Sequence, residues 1–166
     1  MSVPVPDTLP IAVIDLDGTV ADVRHRLHHL QRRPKDWDAF FASIADDPPL
    51  AEGLAVARTL ADDHELVYLT GRPERYRKAT LEWLRRHELP PGRLMMRRGG
   101  DRRPARVAKL AMLRSLDGVA VLVDDDADVC TAARAAGFPV LVADWARAPG
   151  DEQQELRTAQ EREGRT

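Results

Sequence analysis

The chain contains one cysteine, Cys130, so no internal disulfide framework can hold it together, and a reducing compartment suits it. Nowhere does an apolar run approach the length of a membrane-spanning helix; the strongest runs are short, strand-like and broken by aspartate. The opening residues, MSVPVPDTLP, lack the basic start and long apolar stretch of a secretory signal. These absences lead us to expect a soluble, cytoplasmic protein with no membrane partner. There is no internal repeat, no low-complexity segment and no GxxxxGK[ST] sequence, which excludes a kinase-type phosphate loop. Lysine is scarce too: Lys35, Lys78 and Lys109 are the only three, and the other basic residues are arginine.

What is present fits one globular domain. A chain of 166 residues buries a core without a metal or disulfide staple, and 43% hydrophobic with 31% charged residues is ordinary for such a domain. The net charge of −2 conceals a segregation. Between Arg72 and Arg114 lie 14 Lys or Arg residues against 4 acidic ones, while the rest of the chain holds 11 basic and 23 acidic residues. Such a basic segment attracts a polyanionic or phosphorylated partner, although charge alone is met as simply by a helix face solvated by arginine.

Short β-rich runs alternate with helical patterns along the chain. Buried strands are expected at Pro10 to Ile14, Glu65 to Leu69, Val119 to Val123 and Phe138 to Val142, with a weaker one at Arg93 to Met96. Helical spacing occupies Leu50 to Asp62, Pro73 to Arg86, Pro104 to Leu116 and Ala127 to Ala136. Pro73 and Pro104 suit first helical turns, and Gly137 suits a helix stop. This βαβα rhythm predicts an α/β fold, a Rossmann-like parallel sheet with helices on both faces. A single domain is expected over residues 1–148, with a small lid-like helical insertion over 20–49 above the strand ends and a polar tail over 149–166.

The chemistry gathers where strands end. Asp15-Leu16-Asp17-Gly18-Thr19-Val20 directly follows the first strand, so Asp15 and Asp17 both reach the crevice at its carboxyl end, with Gly18 allowing a sharp turn. Carboxylates this close repel unless a cation lies between them. The later ligands and glycine of an EF-hand are absent. Thr70-Gly71-Arg72 follows the second strand and offers a hydroxyl, backbone N–H groups and a guanidinium to phosphate oxygens. Lys109 lies in a helix among Val107, Ala108 and Leu110, where an exposed lysine is the simpler expectation. Asp124-Asp125-Asp126 closes the strand Val119 to Val123 and again favours a cation.

In this order, DLDGT, LTGR, an isolated helix lysine and VLVDDD resemble the haloacid dehalogenase (HAD) phosphatase superfamily, over Pro10 to Val142. His25-Arg26-Leu27, Thr70-Gly71-Arg72, Arg97-Arg98-Gly99-Gly100-Asp101, Lys109 and Asp124-Asp125 are similar to the 3′-phosphatase domain of bacteriophage polynucleotide kinase and its stand-alone relatives. The resemblance implies a Mg²⁺-dependent phosphomonoesterase with Asp15 as nucleophile, an aspartyl-phosphate intermediate and Asp17 as general acid and base. It implies Thr70 and Lys109 as further catalytic groups. It also implies Arg26, Gly71, Arg72, Arg97 and Arg98 as substrate-binding groups, and Asp15, Asp17 (through its carbonyl), Asp124 and Asp125 as metal ligands. Two positions depart from that closer pattern: Ala105 stands where an acidic residue precedes the lysine by four, and Asp126 where arginine follows the aspartate pair.

His25, His28 and His29 have helical spacing, but no Glu stands between them as in a zinc protease, and substrate or solvent contact is expected of them. Trp37, Phe40 and Phe41 are expected to pack the insertion rather than stack on a base. Cys130 is expected to be a buried thiol. The run Arg97, Arg98, Arg102, Arg103 and Arg106 exceeds what one small metabolite needs, which favours DNA or RNA 3′ ends or nucleotides as substrate. A sugar or metabolite phosphatase, or a catalytically idle nucleic-acid-binding module, remains the alternative.

Overall fold

Strand β1 (Ile11–Ile14) is apolar at every position because it lies at the centre of a sheet covered on both faces. The computed structural model describes residues 8–146, in which β1, β2 (Glu65–Pro73), β3 (Arg93–Arg97), β4 (Val119–Asp124) and β5 (Val140–Val142) form one sheet. All pairings are parallel, in the order β3-β2-β1-β4-β5. The order reverses between β1 and β4, so the carboxyl ends of these two strands flank the crevice where open α/β sheets place their ligands.

Alternation along the strands divides the core into two layers. Ala12, Ile14, Leu66, Tyr68 and Val123 face one side, where Ala57 of α3 (Ala51–Ala61) and Trp83 and Leu84 of α4 (Arg77–Arg86) cover them. Ile11, Val13, Val67, Leu69 and Leu122 face the other, beneath Leu113 of α5 (Ala105–Arg114) and Val129 and Ala133 of α6 (Ala127–Ala135). Asp126 starts α6, its carboxylate accepting from the N–H groups of Asp128 and Val129 at 2.8 and 3.2 Å. The parallel sheet with helices on both faces agrees with the pattern of the sequence. The expected helix over Pro73 to Arg86 is divided, however. Pro73 still belongs to β2, pairing with Arg97, and residues 74–76 form a single 3-10 turn before α4.

Between β1 and α3, a 3-10 turn at Arg24–Arg26, the short helices α1 (His28–Gln31) and α2 (Trp37–Ala42), and a second turn at Ile44–Asp46 share a hydrophobic cluster of their own. Val23, Leu27, Leu30, Trp37, Phe40, Phe41 and Ile44 compose it, and Asp36 caps α2 by accepting from Ala39 N–H at 2.9 Å. The three aromatics are therefore packing groups, as expected. Both ends of this segment meet at Ala21, which bridges to Asp17 and to Pro49. Asp22 N–H donates to Pro48 O and Leu50 N–H to Val20 O, each at 2.8 Å. Gly53 lets α3 press on the loop after β1: a Cβ there would lie 2.0 Å from Thr19 O. No helix among the described residues is long and apolar enough to cross a membrane. The expected tail over 149–166 lies outside the described residues.

Candidate active site

β1 delivers Asp15, and β4 delivers Asp124, to the crevice from adjacent strands, since Ile14 pairs with Val123 and Asp15 N–H donates to Val123 O at 2.9 Å. From the helix layer, Lys109 of α5 reaches in beneath them. Its Nζ donates to Asp15 Oδ1 and to Asp124 Oδ2, both at 2.8 Å, and only 4% of the residue is exposed. The exposed lysine that helical context suggested is thus buried. Thr19 Oγ1 donates to the other oxygen of Asp15 at 3.3 Å. Asp126 N–H holds Asp124 Oδ1 at 2.9 Å.

Asp125 completes the group. Ligand oxygens of Asp15, Asp124 and Asp125 all lie within 4.8 Å of one another. Gly18, at φ +82°, makes this possible, because a Cβ there would fall 2.3 Å from Asp125 Oδ2. Burial pushes the Asp15 carboxyl up to about 7; Lys109 pulls it down, and Asp124 and Asp17 push it further up. Burial likewise raises Asp124, and crowding by Asp15 and Asp124 adds to burial in raising Asp125 well above the usual range. For Lys109, burial opposes the charge, but Asp124 and Asp15 outweigh it and hold the ammonium firmly protonated.

Three carboxylates against one ammonium leave an excess of negative charge, and one carboxylate oxygen of the neighbouring Asp126 is buried without a partner. An all-oxygen, anionic set of this kind fits a hard divalent cation.

Asp17, two residues beyond Asp15, is held separately. Its Oδ1 accepts from Arg72 Nε and Nη2 at 3.0 and 2.5 Å and from Arg26 Nη2 at 3.0 Å. Burial works against its charge, yet Arg72 and Arg26 more than compensate and keep the carboxyl below its ordinary range. All three of these bonds fall on Oδ1. Thr70, two residues past the Tyr68 that pairs with Ile14, is buried within β2, which runs on through Gly71 and Arg72 to Pro73, and its Oγ1 accepts from Arg72 N–H at 3.2 Å. Gly71 is buried beside it.

The structure therefore brings Asp15, Asp124, Asp125 and Lys109 together, and gathers Asp17, Arg26 and Arg72 beside them. Arg97 and Arg98 stand two strands away, at the end of the edge strand β3. Arg97 is buried and donates to Arg103 O at 2.8 Å, which shapes the turn that follows. Arg98 is exposed and, with Arg75, Arg102 and Pro73, lines a cleft of about 120 Å³ at the same end of the sheet.

Residues 10–146 match the family described as the polynucleotide kinase PNKP phosphatase domain. The chain belongs to that family. It is a HAD-type phosphatase domain, and its fold is shared with solved structures at low identity. It resembles the protein in a Pnkp1/Rnl/Hen1 complex at 22% identity and a TM-score of 0.67, covering 82% of this chain and 46% of that one. A Pnkp1/Rnl/Hen1 RNA repair complex gives 22% identity and a TM-score of 0.65, over 81% of this chain and 42% of that chain. This phosphatase domain thus spans less than half the length of those two relatives. A haloacid dehalogenase-like hydrolase from Streptococcus pneumoniae is similar at 14% identity, with a TM-score of 0.54 and coverage of 81% and 84%. No curated protein matches the chain.

One residue of the HAD-type site gave no signal in the sequence. Asp47, within the run Asp46-Asp47-Pro48-Pro49, reads as part of a turn, yet it is buried against Arg26, Arg72 and His25. Thr19, part of DLDGT, stands four residues after Asp15, which lets it fold back onto that carboxylate. His25 points at Asp47, and among the described residues the histidines join no cluster of potential metal ligands.

Proposed function

We propose that this HAD-type domain hydrolyses phosphate monoesters through an aspartyl-phosphate, with the 3′-phosphate of a polynucleotide end as substrate. The observation that carries the proposal is the Asp15 carboxylate, presented at the end of β1 on a lysine and a hydroxyl, with a second aspartate two residues on. An oxygen of Asp15 attacks phosphorus, the P–O ester bond breaks, and the departing alkoxide takes a proton from Asp17, whose carboxyl the bound phosphate dianion pushes back up from the low range that Arg72 and Arg26 set. A water that Asp17 then deprotonates attacks the same phosphorus, releasing phosphate and restoring Asp15. Lys109 offsets the negative charge that gathers as one anion approaches another. Thr70 and the N–H groups around Gly71 supply donors to the phosphate oxygens, and Arg26 and Arg72, wholly buried, hold Asp17 beside them. Asp15, the Asp17 carbonyl, Asp124 and Asp125 would hold Mg²⁺, which supplies positive charge to the transferring phosphoryl group.

A polynucleotide is favoured over a small metabolite by the cleft at the end of β3. Arg98 and Arg102 reach it with Arg75, which also pairs with Asp38 at 3.0 Å, and the acidic residue lining it, Asp101, is already paired with Arg103. Phosphodiester backbones are held by such groups in a strongly salt-dependent way. The test is phosphate release with Mg²⁺ from a 3′-phosphorylated oligonucleotide, its 5′-phosphorylated isomer, nucleoside 3′- and 5′-monophosphates and sugar phosphates. Preference for the 3′-oligonucleotide, weakened by salt, is expected. Preference for a monomer would remove the polynucleotide from the proposal.

Metal dependence has a signature in stability. Asp15 titrates at about 7 in the fold and near 3.8 when unfolded, so between these values the folded state binds the extra proton. That stabilises the metal-free protein at acidic pH, and the contribution is lost as pH rises from about 4 to 7. Asp124 and Asp125 shift in the same direction. Mg²⁺ competes with those protons, so it should raise the melting temperature more at pH 8 than at pH 5.5. Thermal melts with and without Mg²⁺ decide this, and an equal or larger shift at pH 5.5 contradicts it.

A further inference from the structure

Asp47 belongs to the segment between β1 and α3 and has no part in the chemistry above, yet its carboxylate is wholly enclosed. Oδ1 accepts from Arg26 Nε at 2.7 Å and lies 2.7 Å from His25 Nε2. Oδ2 accepts from Arg26 Nη2 at 2.9 Å and from Arg72 Nη2 at 3.1 Å. Those same two Nη2 atoms also donate to Asp17 Oδ1, at 3.0 and 2.5 Å. Two guanidiniums and two carboxylates therefore close a ring, all of it buried. Trp83 of α4 donates from Nε1 to the Asp47 carbonyl at 2.8 Å, and Arg26 lies over the Phe40 ring at 4.1 Å, so the ring of charges is fixed from outside as well.

Two physical consequences follow. Two buried guanidiniums facing Asp17 alone would carry an uncompensated charge, which Asp47 removes. A guanidinium is also a rigid planar fork, so the position of Asp47 determines where both forks stand and hence where Asp17 Oδ1 is held. With Oδ1 engaged three times, the carboxylate torsion of Asp17 is set, and its other oxygen has one orientation to offer.

We propose that Asp47 is a positioning residue: through Arg26 and Arg72 it fixes the Asp17 carboxylate in the orientation that serves the departing oxygen of the substrate. This rests on the phosphatase mechanism given above. Proton delivery tolerates little misplacement, so loss of the support should appear in turnover rather than in binding.

The test compares Asp47→Asn with wild type on two substrates. The alkoxide leaving a 3′-phosphorylated oligonucleotide needs a proton, whereas p-nitrophenolate leaves p-nitrophenyl phosphate without one. For the oligonucleotide, kcat should fall about tenfold or more with KM within about twofold. For p-nitrophenyl phosphate, the first-turnover release of p-nitrophenolate should stay within roughly threefold of wild type, since Asp17 enters there only at the later hydrolysis of the intermediate. An equal fall on both substrates would show a structural role only, and no change on either would show none; both outcomes overturn the proposal. Should Asp47→Asn melt below the assay temperature, Trp83→Phe replaces it, removing the bond to the Asp47 carbonyl together with part of a buried ring. The same selectivity at a few-fold is then expected, and equal losses overturn the proposal. Asp15→Asn runs alongside as the blank. A wild type no faster than this blank sinks the mechanism itself, a result distinct from any pattern among the Asp47 variants.

Discussion

Asp15→Asn is expected to lower phosphate release by at least about a thousandfold while making the metal-free protein more stable. The side chain keeps its shape, and the amide oxygen still accepts from Lys109, so the surroundings need not move. An amide does not form the acyl phosphate, which removes the reaction at its first step. Stability should move the other way because Asp15 is a carboxylate that burial and two like charges push up to about 7. At pH 8 its ionised form costs the fold free energy, and the neutral amide relieves that cost. A gain of about 1–2 kcal/mol, or a few degrees in melting temperature, is the size expected. Activity assays and thermal melts at pH 8 without metal check the two halves. Residual activity near wild type would deny Asp15 the role of nucleophile, and a lower melting temperature would deny the strain.

Lys109→Met should show the opposite balance of losses. The substitution keeps an unbranched chain but leaves Asp15 and Asp124 facing each other without the ammonium that binds both at 2.8 Å. Breaking a buried ion pair by removing one partner costs about 3–5 kcal/mol. Urea unfolding at pH 8 should register that loss, Mg²⁺ should restore part of it, and a shift to pH 5.5 should restore part by protonating the carboxyls. Phosphate release should remain at least about a hundredfold down even with saturating Mg²⁺, because the charge that opposes the developing anion is gone. Full recovery of rate with the metal would reduce Lys109 to a structural cation. Lysine is unusual in this arginine-rich chain. A compact ammonium that fits between two carboxylate oxygens explains the choice better than a forked guanidinium would.

The parallel sheet was legible because β1 is apolar throughout and β4 is apolar up to the aspartate that ends it, with an aspartate also directly after β1. Asp15, Asp17 and Asp124 could be placed at the mouth of the sheet because they stand at the carboxyl ends of buried strands. Lys109 was legible by type but not by environment. Its helix exposes Val107 at 41% while burying Lys109 at 4%, a reversal that periodicity cannot foresee because an ion pair, not hydrophobicity, draws the lysine inward. Arg26 and Arg72 were recognisable as partners of an anion. That part of their anion is supplied by Asp47 was hidden, because Asp47 and Arg72 are 25 residues apart and are joined only when the intervening segment folds back over the sheet. Pro73 illustrates a further limit: proline after Thr-Gly-Arg suits a helix start, and only the pairing with Arg97 keeps it in the strand.

The segment between β1 and α3 leaves and re-enters the domain at one point, with Ala21 bridged to both Asp17 and Pro49 and hydrogen bonds of 2.8 Å on either side. Its ends are closed by the core itself, so its length adds little to the cost of folding and does not displace the strand that carries Asp15. Such a segment can be exchanged during evolution, or by grafting, while the sheet and its nucleophile are retained. The arginine and aspartate it contributes to the buried ring set the condition. A replacement lacking counterparts of Arg26 and Asp47 would inherit Asp17 and Arg72 as a bare pair. Sequence can therefore drift along most of this segment, while two of its positions remain tied to the buried ring of charges.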